Sequence, residues 1–315
     1  MKLLAITSYF NPFQGGLRKQ NYETFRKHLG VELLTVEWSP AAEFDLSEQD
    51  ADYLVRVSGG DLLWQKERLL NIGLARAKEL GASRVAFLDC DIVFSDSEWS
   101  RRVNTALNTH AIVQCFTHVN YLPPLDHSGM SREALTRHKP DFSRPSLAHE
   151  LLKFGRFLPE QWDPKNPNIH VGSLAGNPGL AVAISLDEQP KWRLYDGNIV
   201  GGGDGVLMAA ATNHLDDFFS VRSLTRAHQD SIRAWKAENF PDGLPLGCAS
   251  NQIFHLWHGE IAKRKYLERH AILLNHGYDP DSDLEHVQNA ALSLLDDKEN
   301  IRCDIADYLL SREDF

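Results

Sequence analysis

The stretch KERLLNIGLARAKELGASRVAFLDCDIVF, residues 66–94, holds a helix, a turn, a strand and a pair of acids, in that order. Residues 62–79 place Leu63, Leu69, Leu70, Leu74 and Ala77 close to a 3.6-residue period, and Gly81 ends the helix. Arg84 to Leu88 is short and apolar, as a buried strand is, and Asp89-Cys90-Asp91 stands at its C-terminal end. Upstream, Leu3 to Ser8 reads as a strand ended by Asn11-Pro12, residues 18–29 as a helix stopped by Gly30, and Val31 to Val36 as a strand ending at Glu37. Downstream come strands at 111–116 and 180–185 and a helix from Val206. Alternating strands and helices make an α/β domain with a largely parallel sheet. Ligands of such sheets bind beyond the carboxyl ends of the strands, which brings the residues after strand one, Glu37 and the Asp89–Asp91 pair to one place.

Composition narrows the class. The 315 residues are 43% hydrophobic, enough for a large core and incompatible with a disordered chain. Lys plus Arg number 33 against 43 Asp plus Glu, a net charge of −10, which argues against a protein held on DNA by phosphate contacts alone. Cys90, Cys115, Cys248 and Cys303 form no CxxC pair and read as reduced thiols of a cytoplasmic protein. The opening MKLLAITSYFNPF lacks a secretory h-region, and no stretch has about 18 apolar residues in a row, so neither a signal peptide nor a membrane span is expected.

Residues 120–170 depart from this pattern. Pro123, Pro124, Pro140, Pro145, Pro159, Pro164 and Pro167 fall there, and Arg101 to Lys165 carries nine basic and six acidic residues. This reads either as a loop-rich insertion or lid beside the site, or as ordinary surface packing. Residues 283–311 show apolar positions at Leu284, Val287, Ala291, Leu294, Leu295, Ile301, Ile305, Leu309 and Leu310, which fit two helices broken near Lys298 to Asn300.

Four motifs bear on chemistry. Asp89 and Asp91, two apart at a strand end, can both reach a Mg²⁺ or Mn²⁺ ion if the backbone turns there; alternatively they cap the next element. In GNIVGGGDGVLM (197–208), Gly201, Gly202 and Gly203 let backbone approach a ligand, and Asp204 at the start of a helix can accept a proton or simply cap it. In IFHLWHGE (253–260), either His255 or His258 can complete a metal site; on a strand the two face opposite sides, so one of them is expected to do so. Arg68 can meet a diphosphate or lie at the surface, and Asn71 can bridge helix to loop. The pair Gly15-Gly16 in FQGGLRK matches neither GxGxxG nor a P-loop, which excludes both of those nucleotide sites.

In this order the motifs resemble GT-A-fold glycosyltransferases, in particular the family-2-like and galactosyltransferase-like members. There a helix carrying Arg and Asn-x-Gly precedes an apolar strand and a DxD; Arg68, Asn71, Gly73, Asp89 and Asp91 match, with Leu69-Leu70 shifting the arginine. LYDGNIVGGGDGVLM resembles the acceptor-side glycine–acid region, with Gly205 where a second acid is usual, and HLWHGE resembles the late segment that puts a histidine on Mn²⁺, His258 rather than His255. The resemblance spans roughly 1–262. It implies a GT-A-like nucleotide-binding sandwich over 1–262 with an insertion at about 120–170, and a helical extension at 263–315 packed on it.

It also implies a hexosyl- or pentosyltransferase that uses a nucleotide-sugar, UDP-sugar favoured, and Mn²⁺ or Mg²⁺. Asp89, Asp91 and His258 would hold the cation. Asp204 would be the base of an inverting transfer, and Thr7, Tyr9 and Glu37 would contact the nucleoside. A glycan or protein hydroxyl is the expected acceptor, with a modified nucleic-acid base also open. The alternatives are a sugar nucleotidyltransferase, for which FQGGLRK is a partial match, a metal-dependent hydrolase, and a catalytically silent carbohydrate-binding protein.

Overall fold

The computed structural model describes residues 2–155, 176–187, 192–285 and 287–313. Eleven strands are formed among them: β1 (Leu3–Phe10), β2 (Leu33–Ser39), β3 (Tyr53–Ser58), β4 (Arg84–Leu88), β5 (Ile92–Phe94), β6 (Ile112–Gln114), β7 (His118–Tyr121), β8 (Phe142–Pro145), β9 (Ala181–Ser185), β10 (Leu246–Cys248) and β11 (Gln252–His255). Seven make the central sheet in the order β10-β6-β9-β4-β1-β2-β3, and four make a smaller sheet in the order β5-β11-β7-β8. In the central sheet only β9 runs antiparallel to its neighbours, β4 and β6. The expected α/β sandwich with a largely parallel sheet is therefore the one formed.

Alternation along the strands sorts the core into two layers. In β1, Leu4 and Ile6 join Leu69, Leu74, Val85, Val206 and Trp235, while Leu3, Ala5 and Tyr9 join Tyr22, Phe25, Trp99 and Val113. The helix Lys66–Glu79 lies on the first layer at its glycine. A Cβ at Gly73 would stand 2.7 Å from Ile6 Cγ2 and 3.0 Å from Val36 Cγ2, so only glycine lets the helix approach β1 and β2 this closely.

Two expectations need correction. The second strand starts and ends later than Val31–Val36, because Glu37 and Trp38 are buried within it, and Trp38 Nε1 donates to Gly59 O at 2.8 Å. Residues 283–311 form one long helix, Glu299–Ser311, not two helices. Their first half folds back on itself, with Asn289 at φ 57 and a bridge between Leu284 and Leu294. Side chains at the head of the Lys66–Glu79 helix capture it. Gln65 Nε2 donates to Leu292 O and Gln65 Oε1 accepts from Leu292 N, while Asp61 takes the Leu294 N–H and pairs with Arg302. These tertiary bonds outweigh the helical periodicity.

Leu284, Leu292, Leu294, Ile301, Ile305 and Leu309 share one core with Leu63, Ile199 and Val200, so residues beyond 262 pack against those before. Of the Pro-rich stretch, 120–155 contains β8 and two short helices, Arg132–Arg137 and Leu147–Phe154. Pro159, Pro164 and Pro167 lie outside the described residues.

Candidate active site

β4 ends at Leu88, and the chain turns through Asp89-Cys90-Asp91 into β5, which leaves the central sheet and enters the small one. The two acids thus stand where the sheets part, and they point to different partners.

Asp91 turns toward the end of β11. Its Oδ2 lies 3.0 Å from His258 Nε2 and its Oδ1 lies 3.8 Å from His255 Nε2. The two histidine Nε2 atoms are 3.3 Å apart, and Arg264 Nη2 lies 2.8 Å from that of His258. One imidazole nitrogen cannot satisfy three polar neighbours. Asp91 Oδ1 is buried with no hydrogen-bond partner among the described residues. Burial holds His255 down to about 3 and His258 down to about 4, so both rings are neutral near pH 7, the form that ligates metals. Burial alone would raise Asp91; His258, His255 and Arg18 outweigh it and hold the carboxylate ionised. Asp91, His255 and His258 offer ligand atoms all within 4.8 Å of one another.

Asp89 turns the other way. Its Oδ1 pairs with Lys66 Nζ at 2.7 Å, and the same ammonium lies 3.0 Å from Asp204 Oδ2. Lys66 is held well above the ordinary lysine range: burial would lower it, but Asp204, Asp89 and Glu67 prevail. Glu67 is 3% exposed and lies under the glycine loop, where a Cβ on Gly203 would come within 2.3 Å of its Oε1. Burial pushes Asp89 up to about 7 and Glu67 up to about 8 against the pull of Lys66. The turn Gly201-Gly202, at φ 94 and 103, starts the helix Gly203–Ala211 and carries Asp204 into the cleft. Gly179 makes room for it, since a Cβ there would stand 2.3 Å from Asp204 Oδ2.

The predicted residues therefore divide into those inside the cleft and those outside it. Asp89, Asp91, Asp204 and His258 line one cleft together with His255. Of these, Asp89 belongs to the lysine cluster, while His255 takes the third place beside Asp91 and His258. The expectation that the histidines oppose each other fails because β11 ends at His255, so strand alternation does not govern His258.

Thr7, Tyr9, Glu37, Arg68 and Asn71 do not line the cleft. Thr7 Oγ1 donates to Leu88 O and Tyr9 OH to Asp45 Oδ2. Glu37 Oε1 accepts from the Asp45 and Leu46 amides. Arg68 pairs with Asp196 at 3.1 Å and donates to the carbonyls of Ala290 and Val287. Asn71 exchanges two hydrogen bonds with the Leu194 backbone, bridging helix to loop.

The residues missed are basic. Arg18, Lys66, Arg144, Arg222, Arg264, Arg269 and Arg312 line the cleft against four carboxyl side chains, in a chain of net charge −10. Arg18 comes from the helix Gly16–Leu29, which follows the FQGG turn. Arg264 and Arg269 come from KRKYLER, a basic run in an acidic chain and the one signal that could have flagged them.

No protein-family model matches the sequence, and no curated protein matches it. Among solved structures, S. aureus TarS is 9% identical over 88% of this chain and 41% of its own length, with a TM-score of 0.37, so this chain spans under half of that protein. S. aureus TarS 1–349 in complex with UDP-GlcNAc is 7% identical over 99% of this chain and 82% of that one, at a TM-score of 0.32. Mannose-1-phosphate geranyltransferase from Thermus thermophilus is 15% identical over 81% and 74%, at 0.30. Scores this low support no inference about residues or ligands.

Proposed function

We propose that this chain is a metal-dependent glycosyltransferase, moving a sugar from a nucleotide-sugar, with UDP-sugar favoured, to an acceptor hydroxyl with inversion. The observation that carries the reading is the buried group Asp91, His255 and His258 in the same cleft as Asp204. The group fits a cation: Asp91 Oδ1 is buried and has no hydrogen-bond partner among the described residues, and the two imidazoles are neutral. Two nitrogens and one carboxylate suit a borderline ion such as Mn²⁺ better than Mg²⁺, which favours oxygen ligands. A bound ion there would neutralise charge on a leaving diphosphate.

The chain's own residues supply the rest. Asp204 accepts the proton of the acceptor hydroxyl as its oxygen attacks the anomeric carbon. The bond from that carbon to the diphosphate breaks, and the nucleoside diphosphate leaves with the electron pair. Lys66 fixes the Asp204 carboxylate from 3.0 Å, and Gly179 leaves it space. Tyr121 and Phe142, stacked with ring centroids 4.4 Å apart, wall the cleft beside His255 and help exclude water that would hydrolyse the donor.

The test is a panel of nucleotide-sugars with Mn²⁺, followed by NMR of the first product. Transfer with inversion, lost in Asp204→Asn by ~10²–10⁴-fold, is the expected result. Retained configuration removes Asp204 from the base role. Pyrophosphate released from a nucleoside triphosphate and a sugar 1-phosphate, with no transfer from any nucleotide-sugar, establishes the second reading, a sugar nucleotidyltransferase, which the arginine-rich lining also favours.

A further inference from the structure

The chain leaves β11 at His255, passes His258 and forms a short 3₁₀ turn, Ile261–Arg264, that returns an arginine to the histidines. Arg264 is buried and lines the cleft. Two hydrogen bonds hold its backbone: Tyr308 OH donates to Arg264 O at 3.0 Å, and Arg269 N–H donates to Lys265 O at 2.9 Å. Lys265 sits at φ 44, a left-handed conformation that a non-glycine residue keeps only where its surroundings over-determine it. The guanidinium end reaches two groups. Nη1 donates to Tyr266 OH at 3.0 Å, and Nη2 stands 2.8 Å from His258 Nε2.

The contact with His258 leaves the ring in conflict with its neighbours. A guanidinium has donors only, so Nε2 can bond to it only through its lone pair, which puts the imidazole proton on Nδ1. Nε2 and Asp91 Oδ2, 3.0 Å apart, are then two acceptors that repel. In the other tautomer Nε2–H donates to Asp91 and meets the Arg264 N–H as a second donor. Neither placement of the proton satisfies all three groups. A cation in place of the guanidinium does, because the Nε2 lone pair and the Asp91 carboxylate can share it.

We propose that Arg264 is a built-in competitor for the cation. Its hydrogen bond to His258 and a metal ion on the same lone pair exclude one another, so the ion displaces the guanidinium and the guanidinium weakens the ion. The proposal rests on the metal reading of Asp91, His255 and His258 and is independent of the sugar chemistry. Two effects combine: one lone pair serves one partner, and a positive charge beside the site repels a second one. The coupling is reciprocal, so whatever Arg264 costs the ion, the ion costs the Arg264–His258 contact. Since Tyr308 and the turn at Lys265 hold the backbone, the side chain moves while Ile261–Lys265 stays in place.

The experiment titrates the full chain with Mn²⁺ alone, by calorimetry near pH 7, where both histidines are neutral. Arg264→Met keeps an apolar stem and removes donor and charge together; it should bind Mn²⁺ ~10-fold or more tightly than the native chain. Arg264→Gln, a donor without charge, should fall between, and Arg264→Lys, which keeps the charge, should lie closest to the native chain. In crystals grown with Mn²⁺, the anomalous signal should place the ion at Asp91 and His258, with Nη2 beyond hydrogen-bond reach of Nε2. Unchanged or weaker Mn²⁺ binding in Arg264→Met and Arg264→Gln, in protein whose urea midpoint shows it folded, makes Arg264 a structural support. That result overturns the proposal while the metal reading stands. An ion at the site with the Arg264–His258 bond intact overturns it equally, and needs no variant. If Mn²⁺ binds neither the native chain nor any variant, the metal reading fails and the proposal fails with it.

Discussion

Replacing Lys66 with methionine keeps the apolar stem and removes the charge. Asp89 then loses an ammonium at 2.7 Å and Asp204 loses one at 3.0 Å. Even with Lys66 present, burial pushes Asp89 from 3.8 up to about 7; without it the carboxyl moves higher. A folded-state value above the unfolded one means that the stabilising proton is held at low pH. Stability is then lost as pH rises from about 4 through the raised value. The shift from 3.8 to about 7, roughly 4 kcal/mol once the group is fully ionised, is already present with Lys66 in place, so Lys66→Met adds only the further rise, at most about 2 kcal/mol at pH 8.5.

At pH 5.5 Asp89 is protonated with or without Lys66, and Lys66→Met should cost only about 1–2 kcal/mol, from the contact with Asp204. At pH 8.5 the loss should reach about 3–4 kcal/mol, the contact plus the further rise of Asp89. Urea unfolding of both proteins at both pH values reads this directly, provided m is unchanged. Adding Asp89→Asn should flatten the pH dependence. An equal loss at the two pH values would refute the view that Lys66 is there to neutralise Asp89.

Mn²⁺ should raise the melting temperature, by the equivalent of ~2.7 kcal/mol at a hundredfold excess over Kd, and this shift should vanish in Asp91→Ala and His258→Ala but survive in Asp89→Asn; loss of the shift in Asp89→Asn would return Asp89 to the ligand set. Acid should weaken the fold, because burial holds His228 and His255 down to about 3, and the unfolded chain takes up protons first below about 6.5. Each costs about 2 kcal/mol at pH 5, and His228→Phe should remove part of the slope of unfolding free energy against pH. Gly203→Ala forces a methyl against Glu67, with an expected loss of about 1–3 kcal/mol. Glu67→Ala should restore most of it in a double-mutant cycle; additive losses would show that the contact is not the cause.

What was legible in the sequence was local. The helix expected over 62–79, which starts at Lys66, the strand Arg84–Leu88 and the acids after it follow from periodicity and strand length, and the structure keeps those strand bounds. The glycine turn before Asp204 announced a helix start, and one forms. What failed depended on parity or on distance along the chain. In β1, Leu3, Ala5 and Tyr9 share one layer while Leu4 and Ile6 share the other, and it is Ser8 and Phe10 that reach the cleft. A choice off by one residue therefore selected Thr7 and Tyr9. Arg68 meets the backbone of Val287 and Ala290, and Lys66 meets Asp204, pairings across more than a hundred residues that no window of sequence contains. The refolded half of 283–311 fails for the same reason: its partners, Asp61 and Gln65, lie at the other end of the chain.

Net charge misleads for a related reason. A chain of −10 argues against a protein held on DNA by phosphate contacts alone, yet its cleft is lined by seven basic side chains and four carboxyls. Inside a cleft, charge acts over longer range than at the surface, where salt screens it within about 8–10 Å. The side chains that line the cleft, and not the net charge of the chain, therefore set the field there. The four carboxyls do not cancel that excess evenly. Asp89 and Asp204 are engaged with Lys66, and burial raises Glu67 so that it carries little charge near neutral pH. Asp91 is held ionised, and it faces two neutral histidines. Asp91 is thus the fixed negative point of the cleft at which the proposed cation would bind.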